Sequence, residues 1–126
     1  MYEKNILHRD IKPSNILIKD NKIKIADFGT SKMKKEDEMI RTLVGTPLFA
    51  SPEILEMFVG DDQSYTEKSD IWSLGLILYL MFHYQKDHAT ALQRLKESLP
   101  WKGKSAIDVL NNIKNKPLVF HSTEIP

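Results

Sequence analysis

The chain has 126 residues, 41% of them hydrophobic and 28% charged, a composition typical of one soluble globular domain or part of one. A formal net charge of +1 gives no electrostatic case for binding nucleic acid or a membrane surface. Without cysteine there is no disulfide framework and no cysteine-ligated zinc site. The first residues are not a secretory signal, and the longest apolar stretch, residues 71–82, is shorter than the ~20 residues that span a bilayer. These features predict a cytoplasmic or nuclear protein.

Two short apolar strands follow a polar segment near the start of the chain. Residues 16–18 and 23–25 are rich in isoleucine, and the Asp-Asn pair between them suits a hairpin turn with positive φ. The register that pairs the end of the first run with the start of the second brings Asn15 and Asp27 to the same end of the ribbon, because adjacent strands lie ~4.8 Å apart.

The side chains at this end of the hairpin predict a phosphate-transfer site. Asn15 and Asp27 offer one neutral and one anionic oxygen, which are ligands that Mg²⁺ uses together with water and phosphate. Asp10 adds a candidate base in the preceding loop, and Lys12 adds a cation. Taken singly, Asp10 and Asn15 are equally readable as turn residues, Asp27 as a strand-end turn and Lys12 as a solvated charge. Their joint spacing favours the site.

Four motifs in one order resemble the eukaryotic protein kinases. Residues 8–15 (His-Arg-Asp-Ile-Lys-Pro-Ser-Asn) resemble the catalytic loop, and residues 27–29 (Asp-Phe-Gly) the DFG motif. Residues 45–53 resemble the end of an activation segment, and residues 69–75 the start of the buried central helix of the large lobe. The resemblance implies an α+β, protein-kinase-like fold: a mostly α-helical C-terminal lobe with one β-hairpin and without the N-terminal lobe.

The resemblance implies a role for each residue of the predicted site. Asp10 would accept the proton of a substrate hydroxyl, and Lys12 would steady the γ-phosphate of ATP. Asn15 and Asp27 would hold Mg²⁺, and Leu17 would form part of the floor under the adenine. A lysine two places after Asp10 is the serine/threonine pattern of the family.

Further roles follow from the same resemblance. Thr46 would hydrogen-bond towards Asp10 and Lys12 and help to admit a Ser or Thr substrate. Arg9 would pair with a phosphate on the activation segment, for which Thr42 is the predicted regulatory site. Structural roles would fall to His8, Phe28, Gly29, Glu53 and Asp70.

Two of these structural residues have specific predicted partners. Asp70 would reach back to the backbone N–H groups of the catalytic loop, or else simply cap the central helix, which either Ser69 or Asp70 is expected to begin. Glu53 in this family usually pairs with an arginine near the end of the large lobe, beyond the last residue of this sequence.

The helical signals continue to the end of the chain. The central helix is predicted at about 69–82, with Trp72 in packing, and a later helix at about 105–114 with Ser105 as its cap. Ser51 is the predicted N-cap of a helix that begins at Pro52. The stretch at about 83–99 is longer than the family's pattern and is predicted to fold back on the lobe as an insert.

The chain as a whole, residues 1–126, is predicted to be a partial protein kinase domain: catalytic loop 8–15, DFG motif and activation segment 27–53. Only seven residues precede His8, and there is no glycine-rich loop, so the sequence is expected to be a fragment or incomplete gene model of an active-type enzyme. The expected function is a serine/threonine protein kinase that uses ATP and Mg²⁺ on a protein substrate. The alternative is an inactive large-lobe fragment that acts as a binding or regulatory module. The sequence does not indicate an oligomeric state.

Overall fold

A computed structural model describes residues 7–28, 48–60, 65–83 and 90–120 of the chain. Within these ranges the chain forms one two-stranded sheet and four α-helices, so the described part is mostly helical, as predicted. The elements in order are a 3-10 turn at Pro13–Asn15, strands β1 (Ile16–Lys19) and β2 (Lys22–Ile25), and helices α1 (Pro52–Met57), α2 (Glu67–His83), α3 (Ala91–Ser98) and α4 (Ala106–Asn115). None of the described helices combines the length and the apolar character that crossing a membrane requires.

The hairpin has the register that the sequence predicts. Ile18 pairs with Ile23 in the antiparallel ladder, and the pairing continues to the site end of the ribbon, where the Ala26 N–H donates to the Asn15 carbonyl (2.8 Å). The turn residues Asp20 and Asn21 have φ values of 52° and 54°, the left-handed region that a tight hairpin needs. The hairpin therefore places Asn15 and Asp27, the residue after Ala26, at the same end of the ribbon.

Helices α1 and α4 pack together around Leu55, which is fully buried. Helix α4 begins with a capping box, in which the Ser105 side chain accepts from the Asp108 N–H and the Asp108 side chain accepts from the Ser105 N–H. Ser51 occupies the predicted N-cap position of α1, but its side chain makes no capping bond. Its buried hydroxyl has no hydrogen-bond partner among the described residues.

The central helix α2 starts two residues earlier than predicted, at Glu67. The Ser69 N–H donates to the Thr66 carbonyl, and the Lys68 N–H donates to the Thr66 hydroxyl, so the helix is initiated at Thr66. The prediction that Ser69 or Asp70 caps the helix was therefore wrong. Both lie inside the first turn, where their side chains are available for contacts with distant parts of the chain.

The stretch predicted as an insert contains helix α3 and packs on α2. The N-cap residue of α3, Thr90, forms a capping box with Gln93, and the buried Leu99 follows the helix. Leu99 forms a core cluster with Leu76 and Leu80 of α2. The described part of this stretch, residues 90–99, thus packs on the central helix.

Trp72 of α2 has a packing role, also as predicted. Its ring stacks on that of Trp101, with centroids 5.5 Å apart and planes 16° from parallel. Both rings pack against the cluster of Leu76, Leu80 and Leu99. Through Trp101, the segment before α4 is therefore in contact with the central helix.

Candidate active site

Three side chains of the loop before β1 form one hydrogen-bonded group centred on Asp10. Lys12 Nζ donates to Oδ2 of Asp10 (2.8 Å), and Asn15 Nδ2 donates to the same oxygen (3.2 Å) and to the Asp10 carbonyl (2.8 Å). Among the described residues, Oδ1 of Asp10 has no donor. The Asp10 side chain is 23% exposed, so one carboxylate oxygen is held by the loop and the other is free to meet a molecule from solvent.

Asn15 is oriented by the same bonds. Because its Nδ2 donates to Asp10, its Oδ1 is the end of the amide that faces away from these bonds and could ligate a cation. Asn15 is 8% exposed, and the 3-10 turn at Pro13–Asn15 feeds it directly into β1.

Asp27 lies one residue beyond Ala26, the residue opposite Asn15 in the hairpin. Its side chain is exposed, and its φ of 61° turns the chain out of β2. An amide oxygen and a carboxylate at one end of a hairpin are hard oxygen donors of the kind that Mg²⁺ accepts, so these residues fit that ion. Within the described ranges, no three His, Asp or Glu side chains group closely enough to form a metal site of their own. A cation here would need oxygens from a phosphate or water as well.

His8 lies under the loop and joins it to the end of β2. It is fully buried, its Nε2 lies 2.8 Å from the Ala26 carbonyl, and its Nδ1 lies 3.3 Å from the Asp10 N–H. A carbonyl can only accept and an amide N–H can only donate, so the ring is the neutral tautomer with its proton on Nε2. The Phe28 ring meets the imidazole edge-on at 4.9 Å. The imidazole therefore fixes the loop against the strand that leads to Asp27.

Asp70, in the first turn of α2, holds the backbone of the same loop. The His8 N–H donates to Oδ2 (2.8 Å) and the Arg9 N–H donates to Oδ1 (3.0 Å). Asp70 is 6% exposed, so water cannot easily replace these bonds. Arg9 has a φ of 68°, a left-handed conformation that costs free energy for a non-glycine residue and persists only where neighbouring contacts impose it. The carboxylate of Asp70 supplies such contacts.

Tyr65 is a residue of this region that the sequence reasoning missed. Its hydroxyl donates to Oδ1 of Asp70 (2.5 Å), the oxygen that also accepts from Arg9. The Arg9 guanidinium carbon lies 5.6 Å from the centre of the Tyr65 ring, within range of a cation–π contact. Burial, and next the hydrogen bond to Asp70, raise the pKa of the Tyr65 hydroxyl well above its usual range. A tyrosine five residues before the aspartate gives no signal in the sequence, because the contact depends on how the chain enters α2.

The other predicted site residues are more dispersed. Leu17 lies opposite Lys24 and is 51% exposed. Glu53 accepts a hydrogen bond from the Ser69 hydroxyl (2.7 Å), which ties α1 to the first turn of α2. Three predicted residues lie outside the described ranges: Gly29, Thr42 and Thr46.

Comparison with known proteins identifies the family. A family model described as the protein kinase domain matches residues 1–116. The chain therefore belongs to the protein kinase family, and several of its curated relatives are named as serine/threonine kinases.

Three relatives show the extent of the similarity. The mouse (Mus musculus) protein named serine/threonine-protein kinase Nek11 is 49% identical over 92 residues, which are 72% of this chain and 14% of that protein. The G2-specific protein kinase nim-1 of Neurospora crassa is 43% identical over 98 residues, 73% of this chain and 11% of that protein. The ovarian-specific serine/threonine-protein kinase Lok of Drosophila melanogaster is 45% identical over 83 residues, 63% of this chain and 17% of that protein. The chain thus matches only a small part of the length of each of these relatives.

Proposed function

We propose that this chain provides the catalytic loop and metal-binding end of the large lobe of a serine/threonine protein kinase. The observation that carries the proposal is the bonded group of Asp10, Lys12 and Asn15, beside Asp27 at one end of the hairpin. Family membership supports the same activity. A catalytic group fixed in one geometry before substrate arrives is what phosphoryl transfer requires, since catalysis there is mostly positioning and electrostatic stabilisation.

Each residue of the group has a defined task in this proposal. Asp10 accepts the proton of the attacking Ser or Thr hydroxyl through the oxygen that the loop leaves without a donor. Lys12, now paired with Asp10, neutralises charge on the transferring phosphoryl group. Asn15 Oδ1 and the Asp27 carboxylate hold Mg²⁺. Bound Mg-ATP supplies the phosphoryl group and the positive charge that stabilises its transfer.

The regulatory part of the proposal concerns Arg9. Its side chain is exposed beside the loop, and a phosphate on Thr42 would give the guanidinium an anionic partner. The new charge-assisted pair would then tie the segment that carries Thr42 to the loop that contains Arg9.

The deciding experiment replaces the proposed base. In the gene product that carries this chain, Asp10→Asn should lower kcat for a Ser/Thr peptide by about 100-fold or more, since the amide cannot take the proton. The matched control is Asp20→Asn in the hairpin turn, where asparagine tolerates the left-handed φ of 52° equally well. Asp20→Asn should keep wild-type kcat. Undiminished transfer by Asp10→Asn would refute the assignment.

A second candidate function is a binding or regulatory module without catalysis. The observation that favours it is the apolar surface of α2, where Ile71, Leu78 and Met81 are 52%, 55% and 74% exposed among the described residues. Melting curves with and without Mg-ATP separate the two candidates. A nucleotide-dependent rise in melting temperature supports the kinase, because a ligand that binds only the folded state stabilises it, and no shift supports the module.

A further inference from the structure

We propose that Tyr65 is a positioning residue for the catalytic loop, which it holds both through Asp70 and through the side chain of Arg9. This inference rests on the proposed kinase function for its effect on rate, but its structural content stands on contacts that are independent of activity. The hydroxyl and the ring of Tyr65 act on the loop by two separate routes.

The first route runs through the hydroxyl. Oδ1 of Asp70 accepts from both the Tyr65 O–H and the Arg9 N–H, while Oδ2 accepts from the His8 N–H. Three donors on two oxygens leave the carboxylate one orientation, and that orientation places the two backbone N–H groups next to Asp10. Asp70 is 6% exposed, so a donor removed from this carboxylate is not readily replaced by water.

The second route runs through the ring. The guanidinium of Arg9 lies over the Tyr65 ring at 5.6 Å, so the residue that precedes Asp10 is held at its side chain as well as at its backbone. The left-handed φ of Arg9, 68°, needs restraint of this kind, since nothing in the residue itself favours it. Tyr65 therefore stabilises Arg9 in two ways: at its backbone through Asp70, and at its side chain through the ring.

Two substitutions separate the routes. Tyr65→Phe removes only the hydroxyl and keeps the ring under Arg9, whereas Tyr65→Leu removes both. The matched control is Tyr79→Phe, because the Tyr79 hydroxyl also makes one bond, to the Val119 carbonyl (2.8 Å), at the far end of α2. The control thus deletes an equivalent hydroxyl that has no contact with the loop.

The test measures amide hydrogen exchange of residues 8–10 and steady-state kinetics in the gene product that carries this chain. Tyr65→Phe should speed exchange at His8 and Arg9 by about tenfold and lower kcat by a similar factor, with KM for ATP within about twofold. Tyr65→Leu should do both more strongly. Tyr79→Phe should leave kcat and the amide exchange of residues 8–10 unchanged, although it lowers the melting temperature.

The outcomes distinguish this inference from the proposed function. If wild-type protein transfers no phosphate, the kinase proposal fails, and the exchange rates alone still decide the role of Tyr65. Wild-type exchange at residues 8–10 in Tyr65→Phe would overturn the inference. So would a loss of kcat in Tyr79→Phe equal to that in Tyr65→Phe, since the effect would then be general destabilisation.

Discussion

Replacing Asp70 by asparagine tests whether α2 holds the loop at residues 8–10 in place. The carboxylate accepts the backbone N–H groups of His8 and Arg9, at 2.8 and 3.0 Å. An amide of the same shape has one acceptor and one donor group, so one of these N–H groups must face an NH₂ group. Because Asp70 is 6% exposed, the orphaned N–H finds no water, and the loss is about 2 kcal/mol.

That free energy corresponds to about 30-fold more frequent opening of the loop. Hydrogen exchange of residues 8–10, followed by mass spectrometry or NMR, reads this opening directly, and it should accelerate by about the same factor. Transfer to a Ser/Thr peptide should fall in parallel if the proposed function is right.

The control for this prediction is Asp108→Asn in the capping box of α4. Asp108 also accepts two backbone N–H groups, those of Lys104 and Ser105, both at 3.2 Å, but it is exposed. Its replacement should cost at most about 1 kcal/mol and leave residues 8–10 unaffected. Equal exchange at the loop in Asp70→Asn and wild-type protein would refute the reasoning.

Two further predictions concern stability. Leu55→Ala should lower the free energy of unfolding by about 3 kcal/mol in a urea titration, because Leu55 is fully buried between α1 and α4. Ile107→Ala, at a residue of α4 that is 54% exposed, should cost less than about 0.5 kcal/mol, and similar costs for the two would contradict the packing described. Burial raises the pKa of Tyr79 above its ordinary value of 10.0, so the folded state favours the neutral phenol. The stabilisation of the folded state that the neutral Tyr79 phenol provides is fully present below pH 10. It is lost as the pH rises through the higher pKa of the folded state. The free energy of unfolding, measured from pH 8 to 11, should therefore decline above pH ~10, and the decline should be shallower in Tyr79→Phe than in the wild-type protein. Identical slopes in the two proteins would argue against the burial effect.

Local rules account for the parts of the structure that the sequence predicts well. The register of β1 and β2 follows from the isoleucine spacing and from the two turn residues that tolerate positive φ, Asp20 and Asn21. The start of α4 follows from the Ser105 capping box in the same way. Such features depend on residues only a few positions apart, so they can be predicted from one sequence.

Tertiary contacts account for the errors and omissions. The sequence offers Ser69 as a cap, yet its side chain bonds to Glu53, 16 positions away along the chain. For Asp70 the resemblance implies the contact that the structure shows, with the backbone N–H groups of His8 and Arg9, whereas the local capping alternative was wrong. Tyr65 was missed for the same reason. A polar side chain near the start of a helix can either cap that helix or bond to a residue far along the chain, and only the folded structure decides between the two.

The candidate site was located by motif spacing, whereas its internal bonding was not. The spacing of Asp10, Lys12 and Asn15 predicts a functional loop, but it does not predict which oxygen of Asp10 accepts the hydrogen bonds of Lys12 and Asn15. That detail depends on side-chain rotamers, which are set by the turn at Pro13–Asn15 and by the buried ring of His8 beneath.

The bond between His8 and Asp70 also sets a time for the assembly of the site during protein synthesis. The two residues are 62 positions apart, so the loop lacks its anchor until the ribosome has added the intervening chain. At about 5–20 residues per second, that interval lasts roughly 3–12 s. Throughout it, Arg9 lacks the hydrogen bond that its N–H donates to Asp70 in the folded chain. The loop at His8 and Arg9 is therefore completed only after the start of α2 has been added to the chain.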